Sequence, residues 1–164
     1  MSYKTIQDTK NVFIEPMGIY VTKSSIIPFY NLLEGAKSLN FSNDFYTINL
    51  VRQGFPKRFL LALSKKISLK IQELSNILHI SERSLQRYDD NDIIKTEYAE
   101  KAVELARLYT RGENVFGFMD KFKLWIKAPS VVFNGEAPVT ILDTAAGFDM
   151  VFKELGHIEH GIFA

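Results

Sequence analysis

The chain has 164 residues, enough for one compact domain or two small modules, and its 46% hydrophobic and 24% charged content excludes a disordered polymer. It contains no cysteine, so disulfides and thiolate zinc sites are excluded. The net charge of +1 argues against a bulk nucleic-acid binder, yet 55–112 hold 11 basic against 8 acidic side chains and 113–164 hold 4 against 7. No stretch approaches the ~18 apolar residues of a membrane span. The opening residues lack the apolar run of a signal peptide, so the expected compartment is the cytoplasm and the sequon Asn40-Phe41-Ser42 is a chance match.

Along the chain, Pro16-Met17-Gly18 marks a turn between Val12-Phe13-Ile14 and Gly18-Ile19-Tyr20-Val21, which read as short strands or extended arms. Pro28 to Leu39 has a helical face of Phe29, Leu32, Leu33 and Ala36. Asp44 to Gln53 reads as a second helix, with Phe45, Ile48 and Val51 spaced for burial and Gly54 as its stop. Pro56 suits the first turn of a third, in which Phe59, Leu60 and Leu63 are apolar.

The segment Ile71–Asp90 is the most informative. Two short helical patterns meet at His79-Ile80-Ser81, with Leu74, Leu78, Ile80, Leu85 and Tyr88 apolar and the small Ser75 where crossing helices would touch. That is helix-turn-helix spacing, in which the second helix reads the DNA major groove. Ser68 is the expected N-cap of the first helix and Ser81 that of the second. His79 holds a turn position whose backbone tends to be left-handed, and histidine is enriched there. Ser81, Arg83, Ser84, Gln86 and Arg87 are the candidate DNA contacts, as Glu82 is also free of core duty while Leu85 and Tyr88 pack inward. Arginine can fork onto guanine O6 and N7, and glutamine onto adenine. Asp89, Asp90 and Asp92 would repel phosphate, which limits contact to the N-terminal half of the helix.

Thr96 opens a longer helix that buries Tyr98, Ala102, Leu105, Ala106 and Tyr109, with Gly112 near its end. Met119, Phe122, Trp125 and Ile126 form a short amphipathic helix that stops at Pro129, and Trp125 reads as core. Pro138 starts another with Ile141 and Leu142, although Ala137 is a poor cap. The last helix begins at Thr144 and buries Phe148, Val151, Leu155 and Ile158; Gly156 inside it means either close packing or a weak point. The fold class is all-α: an N-terminal extension (1–42), a helix-turn-helix domain (43–112) and a small helical C-terminal module (113–164).

From Asn43 to Ala164 the chain resembles the Xre/MbcA/ParS antitoxins of bacterial toxin–antitoxin systems. The resemblance rests on Gln53-Gly54-Phe55-Pro56, on Ile80 to Arg87 (with Ser84 where threonine is usual), on Asn114-Val115-Phe116-Gly117 with Leu124-Trp125-Ile126, on Gly135-Glu136-Ala137-Pro138, on Leu142-Asp143-Thr144, and most specifically on Leu155 to Ala164. It implies a promoter-binding homodimer whose C-terminal part blocks a RES-like toxin that degrades NAD, or a related NAD-using transferase. It implies toxin contacts from Glu159, His160, Gly161, Ile162, Phe163 and Ala164, near the toxin's active-site cleft. His157 departs from the family's usual arginine. The residue types alone leave two readings of Ile162-Phe163: an apolar anchor for a partner, or a fold-back onto the same molecule.

No cofactor and no metal is expected, and no enzyme. His157, His160, Glu159 and Asp149 suggest a metal or acid–base cluster, but His79 is the only further histidine, and no phosphate loop, dinucleotide glycine pattern or nucleophile elbow is present. The alternative function is a stand-alone helix-turn-helix regulator whose C-terminal module dimerises or binds a ligand. The dimer interface is expected to use Phe45, Ile48 and Val51.

Overall fold

The computed structural model describes residues 44–161, with side chains from Thr47 onward; the expected arm strands, the Pro28–Leu39 helix, the Phe45 side chain and Ile162-Phe163-Ala164 lie outside the described residues. The described residues form seven α-helices and two 3-10 turns and no β-strand, so the all-α expectation holds.

Helix α1 (Asp44–Gln53) packs on the longest helix, α5 (Thr96–Phe116). It turns Leu50 and Val51 partly into the core but leaves Ile48 41% exposed, contrary to the expected burial of Ile48. Pro56 stands just outside α2 (Lys57–Ile67) as its N-cap, and Leu60, Leu63 and Ile67 bury one face of it. Ser68 is not the N-cap of the next helix. It closes α2 from the left-handed region (φ 58°), and the neighbouring Ser64 Oγ donates to Leu69 O at 2.7 Å. The N-cap of α3 (Ile71–Leu78) is Lys70, whose N–H donates to Glu73 Oε2 at 2.6 Å. His79 closes α3 at φ 54°, as its place in the turn suggested.

The short α4 (Glu82–Gln86) starts at Ser81, whose Oγ accepts the Ser84 N–H at 3.0 Å. Helix α5 runs to Phe116, four residues past Gly112, because Gly112 is buried beneath Phe122: a Cβ there would lie 2.3 Å from that ring. The expected boundary between 112 and 113 therefore falls inside a continuous helix. Helix α6 (Met119–Lys127) crosses back over α5, the 3-10 turns Val131–Phe133 and Pro138–Ile141 follow, and α7 (Ala145–Glu159) returns along α5. Thr144 caps α7 by accepting the Gly147 N–H at 3.0 Å. Close packing on α7 is at Gly147, where a Cβ would meet Ile141 O at 1.7 Å; Gly156 faces open space.

Thus α5 contacts α1, α2, α3, α6 and α7 and serves as the axis of the core. Around its first half the core is aliphatic: Leu60, Leu74, Ile77, Leu78, Leu85 and Ile94. Around its second half it is aromatic. Phe122 meets Tyr109 edge-on at 5.0 Å, and Trp125 lies 5.5–5.8 Å from Phe116 and Phe122. The core role expected of Trp125 holds.

Candidate nucleic-acid interface

The sequence of α4 separates its two faces. Leu85 is 1% exposed and anchors the helix on the core, with half-buried Tyr88 beside it. Arg83, Ser84, Gln86 and Arg87 are all exposed, and Glu82 is half-buried. Among the described residues neither Arg83 nor Arg87 enters an ion pair, so both guanidinium groups remain available to an anion or a base edge. Ser81 and Ser84 are partly committed to each other: Ser81 Oγ donates to Ser84 Oγ at 2.8 Å as well as capping the helix.

The acidic run after α4 does more than face solvent. The carbonyls of Asp90 and Asp92 accept the Arg58 and Lys57 N–H groups at 2.9 Å, which caps the start of α2. The Asp90 carboxylate lies 3.5 Å from Lys57 Nζ, and Asp92 Oδ2 accepts the Asp89 N–H at 2.7 Å. Lys57 Nζ also donates to Tyr88 O at 2.7 Å. The α4 exit is thereby tied to α2.

Helix α3 is held at both ends by the C-terminal module. At its start Lys127 Nζ donates to Ser68 O at 2.7 Å and pairs with Glu73 at 3.3 Å. At its end His79 Nε2 lies 2.6 Å from Asp143 O, a contact that requires Nε2 to carry the proton because a carbonyl only accepts. Lys101 Nζ donates to the same carbonyl at 2.9 Å. Sequence reasoning missed these contacts: they join residues 42–64 positions apart and leave no local pattern.

Residues 48–107 match the family model of the antitoxin Xre-like helix-turn-helix domain, and residues 111–161 that of the antitoxin Xre/MbcA/ParS C-terminal toxin-binding domain. The chain has both domains of an Xre-type antitoxin. No curated protein matches it.

In this antitoxin the residues expected to meet the toxin are divided. Glu159 accepts a two-pronged ion pair from Arg111, with Arg111 Nη1 3.2 Å from Oε1 and Nη2 on Oε2, so its carboxylate ties the end of α7 to α5. His160 and Gly161 are exposed, and Gly161 has φ 66°, a turn out of the helix. His157 Nδ1 lies 3.1 Å from Glu154, so it is not brought together with His160 and Asp149 into one cluster; among the described residues no three His, Cys, Asp or Glu side chains are placed to hold a metal. No described helix of the antitoxin is long and apolar enough to cross a membrane.

Proposed function

We propose that this antitoxin binds and blocks a RES-like, NAD-targeting toxin through its C-terminal module, and binds the promoter of its own operon as a homodimer through α3 and α4. The observation that carries the DNA half is α4 itself. It is anchored by Leu85 and presents Arg83, Gln86 and Arg87 outward with no competing ion pair among the described residues. A five-residue helix with so few readers supports modest affinity alone, and a two-fold pair of them on successive major grooves supplies the rest. The matched toxin-binding domain supports the toxin half. The RES-like identity of the toxin rests on the resemblance carried by the C-terminal residues.

The proposed toxin contacts are His160 and Gly161 with Ile162, Phe163 and Ala164. Glu159 acts from its bond to Arg111 by fixing where the chain leaves α7. Phe163 and Ile162 supply apolar area, and His160 supplies a hydrogen bond to the polar groups of a nucleotide-binding cleft. The decisive experiment is co-expression with the product of the adjacent gene, followed by pull-down and assay of NAD loss. The expected result is a stable complex and abolished NAD consumption, with inhibition weakened by deletion of 161–164 at an unchanged melting temperature. Full inhibition by the truncated protein would move the interface to the helices.

The same preparation tests the DNA half. Arg83→Ala and Arg87→Ala should each cost about 1–3 kcal/mol in promoter affinity where the arginine reads a base. Titration on promoter fragments measures this directly, and wild-type affinity in the double variant would remove α4 from the interface.

A further inference from the structure

Beside the exposed face of α4 a hollow of about 390 Å³ opens between the end of that helix and the start of α5. Its lining includes Ser84, Arg87, Tyr88, Asp92, Lys95 and Tyr98. We infer that this hollow seats one backbone phosphodiester of the bound DNA, held by Lys95 and Tyr98 together with Arg87. The inference rests on the DNA-binding reading of α4 and extends the interface to residues the helix-turn-helix pattern does not include.

Three features fit a phosphodiester. The first is charge. Of the charged side chains that line the hollow two are basic, Arg87 and Lys95, and one acidic, Asp92; Glu97, just outside the lining, offsets part of the excess. Among the described residues Lys95 pairs with Glu97 alone, at 4.0 Å with both side chains more than 60% exposed, a pairing that solvent largely screens. Asp92 opposes an anion, but its Oδ2 is already turned onto the Asp89 N–H.

The second feature is donors. Ser84 Oγ accepts from Ser81, which leaves its own proton free to point elsewhere. Desolvation and a hydrogen bond to the Glu97 carboxylate push the Tyr98 phenol above its ordinary pKa, so it stays a neutral hydroxyl whose proton a phosphate would take over from Glu97. The third is the backbone. Lys95 is the N-cap of the 21-residue α5, and no side chain caps that helix start. The Tyr98 N–H turns back onto Lys95 O at 3.0 Å, which leaves the N–H groups of Thr96 and Glu97 and the positive end of the dipole to an outside acceptor. Because Arg87 and Ser84 belong to both the hollow and the α4 face, a DNA strand that meets α4 passes the hollow.

Phosphate contacts carry no sequence information, so their loss has a distinct signature. We would measure the affinity of the full chain for the DNA upstream of its own coding sequence, and for unrelated duplex, across a salt series. Lys95→Ala should weaken both by a similar factor and lower the slope of log K against log salt by about one unit. Tyr98→Phe should weaken both several-fold with the slope unchanged, since it removes a donor and no charge. On DNA with single methylphosphonate substitutions, one position should weaken the wild type more than it weakens Lys95→Ala. If Arg83→Ala loses promoter affinity while Lys95→Ala and Tyr98→Phe keep wild-type affinity and slope, the phosphate seat is wrong and the DNA reading stands. If the wild type binds neither duplex, the DNA reading fails and the seat with it.

Discussion

The helix-turn-helix half and the C-terminal half are built differently. The first has short helices, of eight residues in α3 and five in α4, closed by local devices such as Ser81, His79 and Ser68, over an aliphatic core. The second is held by tertiary contacts among Phe116, Phe122, Trp125 and Phe133, with two short 3-10 turns between its helices. The family matches end at 107 and resume at 111, in the middle of α5, and that helix is unbroken there. Two recognisable sequence domains thus share one structural axis. Evolutionary and mechanical boundaries need not coincide, and here both halves pack on the same helix.

The strongest way to break this comparison is to remove the centre of the aromatic cluster. Phe122 is fully buried and touches Tyr109, Phe116, Trp125 and the bare backbone of Gly112. Phe122→Ala should cost about 3–5 kcal/mol. If α5 makes the halves one cooperative unit, chemical denaturation will show a single transition shifted to lower denaturant, and promoter binding will be lost along it. Two separated transitions, with DNA binding retained after the first, would make the halves independent.

A change of opposite sign sharpens the same point. The Tyr109 hydroxyl is buried with no hydrogen-bond partner among the described residues, and burial pushes its pKa up. An unpaired buried donor is costly, so Tyr109→Phe should raise stability by about 1–2 kcal/mol while keeping the edge-on contact with Phe122. A thermal melt of the variant decides the sign; a fall would mean the hydroxyl is satisfied.

What was legible in the sequence follows this division. The helix-turn-helix was readable because its signals are local: the apolar spacing from Leu74 to Leu85, a serine at the start of α4, and a histidine at the left-handed turn. Ser68 was misread because a serine suits both an N-cap and a left-handed close, and only the Ser64 bond to Leu69 O shows which it is. Gly112 reads only as a residue near the helix end, because the ring that needs its missing Cβ is ten residues further on, in another helix. Ile48 read as buried from its spacing, whereas α1 rolls Leu50 toward α5 instead. The site was less legible than the fold. The outward face of Arg83, Gln86 and Arg87 followed from the pattern, but Lys95 and Tyr98 come beside Arg87 only through the chain's turn at Asp89–Ile94.

Local devices in the first half should cost less when removed. Ser81→Ala deletes the cap of α4 and the bond to Ser84, for about 1 kcal/mol. Because α4 is five residues long, hydrogen exchange should show faster opening at Ser84 and Leu85 with little change in α6 and α7. Uniform acceleration across both halves would mean that even this cap is shared through α5.

The smallest expected effect belongs to Arg111 and Glu159, and it carries the sharpest question about the C-terminus. The family resemblance places Glu159 against the toxin, whereas the structure spends its carboxylate on Arg111, with both side chains 39% exposed. A pair that exposed contributes about 0.2–1 kcal/mol, even with two-pronged geometry. Glu159→Gln and Arg111→Met, alone and together, should give a coupling energy of that size in chemical denaturation. The same variants should be titrated against the toxin. If Glu159 only sets the exit of the chain from α7, the two single variants weaken toxin binding equally, and the double variant is no worse than either. If Glu159 contacts the toxin directly, Glu159→Gln loses more than Arg111→Met. In that case Arg111→Met can even strengthen binding, because it frees the carboxylate. That ordering separates a residue that aims the tail from one that is part of it.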